Sequence, residues 1–275
     1  MPRLGVDIDR YLRREMLPTV WCPGCGNGTI VAALAAVLQK LDRDPSQVVV
    51  VGGIGCSGRT PFYLAVNGLH TTHGRALAFA TGLKLARPSL TVVVVMGDGD
   101  ALAIGGNHFL HAARRNIDLT VLLYNNAIYG MTGGQVAPTT PVGSETTTSH
   151  AGSLENAFDA VELALAAGAT YVARTTTFDM QELPLYIEQA IRHPGFALVE
   201  VLTQCPTYFG RLNRIGEAAD LLLWERDVTE GGARLIRRED LVGPLQTGVF
   251  RAERRPEYTA RYAEHVARMG GTYRV

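Results

Sequence analysis

The chain has 275 residues, of which 47% are hydrophobic, and its 26 basic residues balance 26 acidic ones. A chain of this length can bury a sizeable core, either as one large α/β domain or as a domain with an appendage. The zero net charge gives no electrostatic reason to expect nucleic acid or an anionic membrane surface as a partner. The apolar runs at residues 30–38 and 91–96 are too short to cross a bilayer. We therefore expect a protein of the reducing cytoplasm, without a membrane segment or a signal peptide.

Helices rich in Ala and Leu alternate with short β-branched strands. In chain order, the pattern predicts a helix at 30–41, a strand at 47–51, a helix at 75–86, a strand at 91–96, a helix at 107–115, a strand at 119–124, a helix at 154–167, a weaker strand at 171–173, a helix at 180–192 and a strand at 196–202. Continuously apolar strands separated by helices are typical of sheets covered on both faces. The sequence therefore predicts an α/β fold with a doubly wound, mostly parallel sheet.

The pattern divides the chain into three parts. Residues 1–20 form an N-terminal extension, 21–210 the main domain and 211–275 a C-terminal arm or tail. Beyond about Arg211 we expect no clear apolar strand. An arm that wraps around a partner and a tail that packs on its own domain are both open interpretations.

The only four cysteines of the chain are one close pair, Cys22 and Cys25, and two single residues, Cys56 and Cys205. Each single cysteine closely follows a predicted strand. Four thiolates can complete an iron–sulfur or a zinc site, although structural zinc sites usually show two close pairs. Isolated buried cysteines and two disulfides are the other possibilities.

A second motif also lies at the ends of strands. The Gly-Asp-Gly-Asp run of residues 97–100 follows one strand, and Asn125-Asn126 follows the next. Glycines allow the backbone to approach a diphosphate, while Asp98 and Asn126 offer the oxygen ligands that Mg²⁺ prefers. Either run alone could be an ordinary turn. Together they predict a magnesium–diphosphate site beyond the carboxyl ends of the strands, where such sheets bind ligands.

These motifs, in this order, resemble the β subunit of the 2-oxoacid:ferredoxin oxidoreductases, and most closely the 2-oxoglutarate group of that family. Gly-Asp-Gly followed by Asn-Asn resembles the thiamine diphosphate signature. The supporting runs are Cys22-Pro23-Gly24-Cys25-Gly26, Ile54-Gly55-Cys56-Ser57, Leu69-His70-Thr71-Thr72-His73-Gly74-Arg75-Ala76, Ile104-Gly105-Gly106-Asn107-His108, Asn126-Ala127-Ile128-Tyr129-Gly130 and Pro138-Thr139-Thr140-Pro141. The resemblance covers residues 21–213. It implies the thiamine diphosphate-binding fold, with 21–210 as the domain that binds thiamine diphosphate and an iron–sulfur cluster.

The resemblance also implies a set of site residues. The ligands of one 4Fe–4S cluster would be Cys22, Cys25, Cys56 and Cys205, and those of Mg²⁺ would be Asp98, Asn126 and the carbonyl of Ile128. Thiamine diphosphate would contact Ile54, Gly55, Cys56, Ser57, His73, Gly97, Gly99, Asp100, Tyr129, Gly130, Met131 and Thr132. We expect His73 and Arg59 to be catalytic, with Arg59 the cation best placed to meet a substrate carboxylate. Many relatives have a lysine where this chain has Gly133, which leaves the contact to the distal group of the substrate open.

The function implied is a thiamine- and coenzyme A-dependent oxidative decarboxylation of a 2-oxoacid, with electrons passed through the cluster to ferredoxin and the reverse reaction fixing carbon dioxide. We expect 2-oxoglutarate as the substrate, and pyruvate or a branched-chain 2-oxoacid as the alternatives. A non-redox thiamine decarboxylase half and a zinc-stabilised module without catalysis are rival interpretations. The missing half would be an α subunit that carries the pyrimidine-binding domain and a catalytic glutamate, in an (αβ)₂ assembly.

One carboxylate, Glu200, lies inside the apolar strand predicted at 196–202. A buried charge is costly unless it is paired. We therefore expect Glu200 to be paired with a charge within the sheet.

Overall fold

The computed structural model describes residues 8–229 and 245–273. Its strands are β1 (Val48–Gly52), β2 (Asn67–His70), β3 (Thr91–Gly97), β4 (Leu119–Asn125), β5 (Tyr171–Thr176), β6 (Phe196–Leu202) and β7 (Gly248–Ala252). In the described part of the chain they form one sheet with the order β2-β1-β3-β4-β6-β5-β7. Strands β1 to β6 run parallel, and β7 pairs antiparallel with β5 at one edge.

Helices cover both faces of this sheet. They are α1 (Asn27–Lys40), α2 (Thr60–Tyr63), α3 (Ala76–Ala86), α4 (Gly106–Arg115), α5 (Ala160–Ala167), α6 (Glu182–Arg192), α7 (Ala218–Thr229) and α8 (Tyr258–Arg268). On one face, α1 and α6 bury residues such as Leu34 and Ile187 against the strands. On the other, α3, α4 and α5 bury residues such as Leu77, Phe109 and Val161. The predicted doubly wound α/β fold is confirmed.

The chain changes direction across the sheet between β1 and β3. β1 and β3 are neighbours, but β2 pairs on the far side of β1 and β4 on the far side of β3. The chain therefore leaves the carboxyl ends of β1 and β3 towards opposite edges, which opens a crevice between the two following loops. Such a switch point is where open α/β sheets bind their ligands.

The largest shift from the predicted boundaries is at α5. The apolar pattern suggested a helix from residue 154, but the helix begins only at Ala160. Asp159 is its N-cap, with its carboxylate accepting hydrogen bonds from the backbone N–H groups of Val161 and Glu162. The strand predicted at 171–173 continues to Thr176, because Arg174 is neutralised inside the sheet by Glu200. The expected pairing of Glu200 is therefore confirmed.

The tail contributes one strand that the sequence pattern did not mark. β7 lies beyond residue 210 and extends the main sheet next to β5. It is short and only partly buried, so it lacks the apolar run that marks the other strands. In α7 of the same tail, Leu221 and Val228 are buried. The described parts of the tail thus pack on their own domain, which favours that interpretation over a free arm, while residues 230–244 lie outside the described residues.

The N-terminal extension also contacts the core. Tyr11 is fully buried among the residues that α1 packs against the sheet, and Leu12 makes an isolated bridge to Leu64. Among residues 8–229 and 245–273, no helix has the length and hydropathy of a membrane span.

A buried carboxyl group joins the tail to the sheet. Glu225 of α7 is 1% exposed. Its Oε2 accepts hydrogen bonds from the Thr177 hydroxyl at 2.9 Å and from the Phe178 N–H at 3.1 Å. Burial raises the pKa of Glu225 from 4.5 to about 8. The folded protein therefore holds a proton at this residue over a pH range in which an unfolded glutamate is ionised.

This raised pKa predicts a pH dependence of stability. The contribution of Glu225 is fully present below pH 4.5 and is lost as the pH rises towards about 8. In that window the free energy of unfolding should fall by about 1.4 kcal/mol per pH unit on account of this one proton. Glu225→Gln should remove that slope, as measured by urea unfolding between pH 5 and 9. Identical slopes in the two proteins would show that Glu225 does not titrate in this way.

Candidate active site at the carboxyl edge of the sheet

A cavity of about 370 Å³ lies at the carboxyl ends of β1, β3 and β4. Its walls come from the loops that follow these strands, from His73 after β2 and from the start of α1. They are lined by Asn27, Ile54, Gly55, Cys56, Ser57, His73, Gly97, Asp98, Gly99, Asp100, Tyr124, Asn126, Ile128, Tyr129, Gly130, Met131, Thr132 and Gln135. The structure thus gathers around one cavity every residue that was assigned to thiamine diphosphate or Mg²⁺ from the sequence.

Asp98 lies at the base of this cavity and is 3% exposed. It caps the π-helical turn Gly99–Ala103, with Oδ1 accepting from the Gly99 N–H at 2.9 Å. Its Oδ2 accepts from the Thr139 hydroxyl at 2.6 Å. Burial raises the pKa of Asp98 to about 6. A carboxylate in such a place is stabilised by a nearby cation, which fits a magnesium ligand.

The turn after β4 carries the other two residues expected to bind Mg²⁺. Ala127 adopts a left-handed conformation with φ of 58°. The side-chain oxygen of Asn126 accepts from the Ile128 N–H at 3.3 Å, and the Thr140 hydroxyl donates to the Ala127 carbonyl at 2.7 Å. One carboxylate, one amide oxygen and one backbone carbonyl form a donor set that suits a hard cation whose remaining ligands are phosphate oxygens and water.

Glycine permits the close approach of two loops beside Asp98. A Cβ atom on Gly99 would lie 2.3 Å from Cζ of Tyr129, a distance that no side chain can occupy. The Tyr129 hydroxyl donates to the Gly99 carbonyl at 3.1 Å. The loops after β3 and β4 are therefore joined directly across the cavity floor.

His73 is oriented by Asp100. The Nδ1 atom of His73 lies 2.6 Å from Oδ1 of Asp100, which also accepts from the Gly74 N–H at 2.7 Å. Because a carboxylate oxygen can only accept, Nδ1 carries the proton and Nε2 is the free nitrogen of the ring. Asp100 is buried and its Oδ2 has no hydrogen-bond partner among the described residues. Burial raises the pKa of Asp100.

The four cysteines converge next to this cavity, and none of them forms a disulfide. Gly130 lies between two of the sulfurs, since a Cβ atom there would be 3.6 Å from the Sγ atoms of both Cys56 and Cys205. The pKa of Cys25 is raised to about 12 and that of Cys56 to about 11. Burial is the main cause of both increases, and the neighbouring thiols add to them. Cys22 is among the neighbours that raise both.

These raised pKa values bear on what the cysteines can hold. Buried thiols ionise only when a metal cation offsets the charge of the thiolates. Within residues 8–229 and 245–273, no group of three or more His, Cys, Asp or Glu side chains is gathered as tightly as a single ion requires. The four thiols are the soft donors that zinc and an iron–sulfur cluster both require, so the donor set fits either group.

The surroundings of Arg59 bear on its expected catalytic role. It does not line the cavity, and its guanidinium lies 5.7 Å from the centre of the Phe62 ring. Its positive charge opposes the rise in the pKa of the thiol of Cys56, which does line the cavity. The catalytic role of Arg59 stays a prediction.

Sequence reasoning missed several residues of the site. Asn27, Tyr124 and Gln135 line the cavity, and Thr139 holds Asp98. Gln135 closes the loop after Gly130, with its Nε2 donating to the Thr132 carbonyl at 2.9 Å. Only the run Pro138-Thr139-Thr140-Pro141, which carries part of the resemblance, pointed towards Thr139.

Comparison with known proteins supplies the family. Residues 53–201 match the model of the thiamine pyrophosphate enzyme C-terminal TPP-binding domain. The 2-oxoglutarate synthase subunit KorB of Methanocaldococcus jannaschii is 49% identical over 251 residues, which are 90% of this chain and 93% of the relative. KorB of Archaeoglobus fulgidus is 54% identical over 254 residues, or 90% of each chain. The chain belongs to the KorB family. It is therefore the β subunit of a 2-oxoacid:ferredoxin oxidoreductase, as the motifs indicated.

A solved structure agrees with this assignment to the KorB family. The 2-oxoglutarate:ferredoxin oxidoreductase from Magnetococcus marinus, determined with 2-oxoglutarate, coenzyme A and succinyl-CoA bound, is 32% identical to this chain. The TM-score is 0.83, and the match covers 98% of this chain and 92% of the other. The likeness therefore includes the tail beyond residue 213, where the sequence motifs ended.

The buried position of Asp98 predicts the effect of removing its carboxylate. Asp98→Ala should abolish Mg²⁺-dependent binding of thiamine diphosphate, because neutral oxygens alone cannot offset the charge of the ion. The iron content should be unchanged, since the cysteines are separate groups. Isothermal titration of the full chain with thiamine diphosphate and Mg²⁺ measures this. Asp42→Ala, at an exposed carboxylate paired with Arg10, is the control. Unchanged affinity in Asp98→Ala would refute the magnesium assignment.

Proposed function

We propose that this β subunit, together with an α subunit, converts 2-oxoglutarate and coenzyme A to succinyl-CoA and carbon dioxide, and passes the electrons through a 4Fe–4S cluster to ferredoxin. The substrate is inferred from the names of the KorB relatives and of the matching solved structure. The cluster and the magnesium ion are inferred from the residues of this chain. The reverse reaction would fix carbon dioxide when a low-potential donor is present.

The position of Cys56 is the observation that carries the proposal. Cys56 lines the cavity and also belongs to the group of four cysteines, with its sulfur beside Gly130. A cluster bound by these cysteines would therefore be a neighbour of whatever occupies the cavity. A thiamine enzyme that performs no redox chemistry has no need for this arrangement, so the geometry favours the oxidoreductase over the decarboxylase alternative.

The cavity residues have separate binding roles in this proposal. Asp98, Asn126 and the Ile128 carbonyl hold Mg²⁺ against the diphosphate. The glycines at 97, 99 and 130 leave room for the phosphates to approach the backbone. The Thr132 hydroxyl donates to Oε1 of Gln135 at 2.6 Å and would have to rotate to donate to a phosphate. Ile54 and Met131, which are 38% and 42% exposed, offer apolar surface to the rest of the cofactor.

The cofactors supply the difficult chemistry: thiamine diphosphate is the electron sink for decarboxylation, and the cluster is a one-electron acceptor. The protein supplies orientation and proton control. Asp100 fixes the tautomer of His73 and leaves Nε2 free to accept a proton; once protonated, Nε2 can donate a hydrogen bond or the proton to the carbonyl oxygen of a 2-oxoacid. We assign this role to His73.

The partner subunit completes the site. This chain has one sheet in the described residues, and that sheet carries the diphosphate half of the site. The pyrimidine half and the catalytic glutamate are therefore assigned to the α subunit, in an (αβ)₂ assembly of the cytoplasm. Because Arg59 lies over Phe62 and outside the cavity lining, we assign the contact to the second carboxylate of 2-oxoglutarate to a residue of the partner.

The cluster assignment predicts the result of replacing one ligand. Cys205→Ser should leave the fold intact and lose iron and sulfide, because the hydroxyl is a poor substitute for a soft thiolate. Iron and acid-labile sulfide are measured in protein purified without oxygen. Thr207→Ala, an exposed change in the same loop, should keep both. Full retention of four irons in Cys205→Ser would exclude it as a ligand.

The substrate and the need for a partner are tested in one assay. Coenzyme A-dependent reduction of a viologen dye is followed with 2-oxoglutarate, pyruvate and 2-oxoisovalerate, using this chain alone and the co-expressed complex. We expect turnover only in the complex, and fastest with 2-oxoglutarate. A clear preference for pyruvate would refute the substrate, and equal turnover by the isolated chain would refute the assignment of the catalytic glutamate to the partner.

A further inference from the structure

A buried ion pair lies behind the turn that carries Asn126 and Ile128. Arg174 of β5 and Glu200 of β6 are register partners on neighbouring strands. They are 3% and 1% exposed, and Nε of Arg174 lies 2.7 Å from Oε2 of Glu200. Replacing such a pair by apolar residues is often neutral or stabilising, so its presence is weak evidence for a role in stability alone.

The second oxygen of Glu200 points to another role. Its Oε1 accepts a hydrogen bond from Nδ2 of Asn125 at 2.7 Å. Asn125 is the last residue of β4 and directly precedes the magnesium ligand Asn126. Because a carboxylate only accepts hydrogen bonds, Glu200 determines which end of the Asn125 amide faces the sheet.

The opposite end of that amide supports the turn. With Nδ2 directed to Glu200, Oδ1 of Asn125 accepts from the N–H of Ala127 at 3.1 Å. Ala127 has φ of 58°, a conformation that is unfavourable for a residue with a Cβ atom and needs support from its surroundings. A rotation of the Asn125 amide would place an N–H group against the N–H of Ala127 and remove this support.

Arg174 holds the other side of Glu200. The terminal nitrogens of the Arg174 guanidinium have other partners. Nη2 lies 2.6 Å from Oδ1 of Asp159, and Nη1 lies 3.4 Å from the Gln246 carbonyl oxygen. Arg174 is thus anchored independently of the turn and holds the carboxylate of Glu200 in place. A continuous line of hydrogen bonds leads from Arg174 through Glu200 and Asn125 to Ala127.

We propose that Glu200 and Arg174 are positioning residues for the magnesium site, and that they act through the amide of Asn125 on the turn that carries Asn126 and Ile128. This inference rests on the proposed magnesium-dependent binding of thiamine diphosphate. Neither residue lines the cavity, so neither is catalytic. Partners behind the ligands of a metal commonly determine its affinity, and their loss typically weakens binding by about 10- to 100-fold.

The test is a double-mutant cycle that uses Mn²⁺ as a paramagnetic substitute for Mg²⁺. The complex with the partner subunit is titrated in the presence of thiamine diphosphate, and free Mn²⁺ is counted by its electron paramagnetic resonance signal. Glu200→Gln leaves one acceptor for two donors, and Asn125→Ala removes the link. Each substitution should raise the dissociation constant for Mn²⁺ by about tenfold or more. The dissociation constant of the double variant should not exceed that of the single variant that binds Mn²⁺ less tightly.

The control is Glu225→Gln, which changes a carboxyl group of the same 1% exposure that hydrogen-bonds to Thr177 and Phe178 and not to Asn125. It should alter the pH dependence of stability but leave Mn²⁺ affinity as in the wild type. Urea unfolding reports whether each variant is folded, and Asn125→Ala, at a partly buried side chain, carries the test if Glu200→Gln fails to fold.

The outcomes separate this inference from the function on which it rests. Wild-type affinity in a folded Glu200→Gln or Asn125→Ala variant would overturn the inference alone, and so would additive losses in the double variant. Failure of the wild-type complex to bind Mn²⁺ with thiamine diphosphate would overturn the proposed function, and the inference with it.

Discussion

At the carboxyl edge of the sheet, burial disfavours the ionised forms of the acidic side chains at the candidate site. The pKa of Asp98 is raised to about 6, and the thiols of Cys25 and Cys56 reach about 12 and 11 because they are withdrawn from water. Ionised forms of these groups are stabilised by cations, and Arg59 only partly offsets the rise in the pKa of Cys56. The proposed Mg²⁺ and iron–sulfur cluster would provide positive charge at these groups.

The parallel sheet explains why the two kinds of ligand are neighbours. Loops after β1, β3, β4 and β6 all emerge at one edge, so residues far apart in sequence meet there. The loop after β1 contributes Cys56 both to the cavity and to the cysteine group. The loop after β4 contributes Asn126 to one half and Gly130 to the space between two sulfurs. A shift in either loop would disturb both halves of the site.

The sequence predicted the features that depend on local pattern. Buried strands such as β1 and β3 are unbroken apolar runs, and the residues after them fall at the sheet edge whatever the details of packing. The edge strands β2 and β7 were missed because they are partly exposed and carry no such run. The predicted start of α5 is too early. The apolar pattern continues through residues that precede the N-cap Asp159 and lie outside the helix.

Contacts between distant side chains could not be predicted from pattern alone. Glu200 was recognised as a charge that needs a partner, but neither Arg174 nor Asn125 could be identified without the register of three strands. Thr139 holds Asp98 from a loop 41 residues away. The position of Arg59 over Phe62 likewise depends on the local turn after Cys56, where proximity in sequence suggested a catalytic role.

The central claim is that one chain holds the cofactor cavity and the electron acceptor side by side. It is tested most directly by low-temperature electron paramagnetic resonance of the complex, purified without oxygen and mixed with 2-oxoglutarate in the absence of ferredoxin. We predict the signal of a reduced 4Fe–4S cluster that grows only when substrate and thiamine diphosphate are both present. An unchanged, signal-free spectrum in a complex that still releases carbon dioxide would contradict the account.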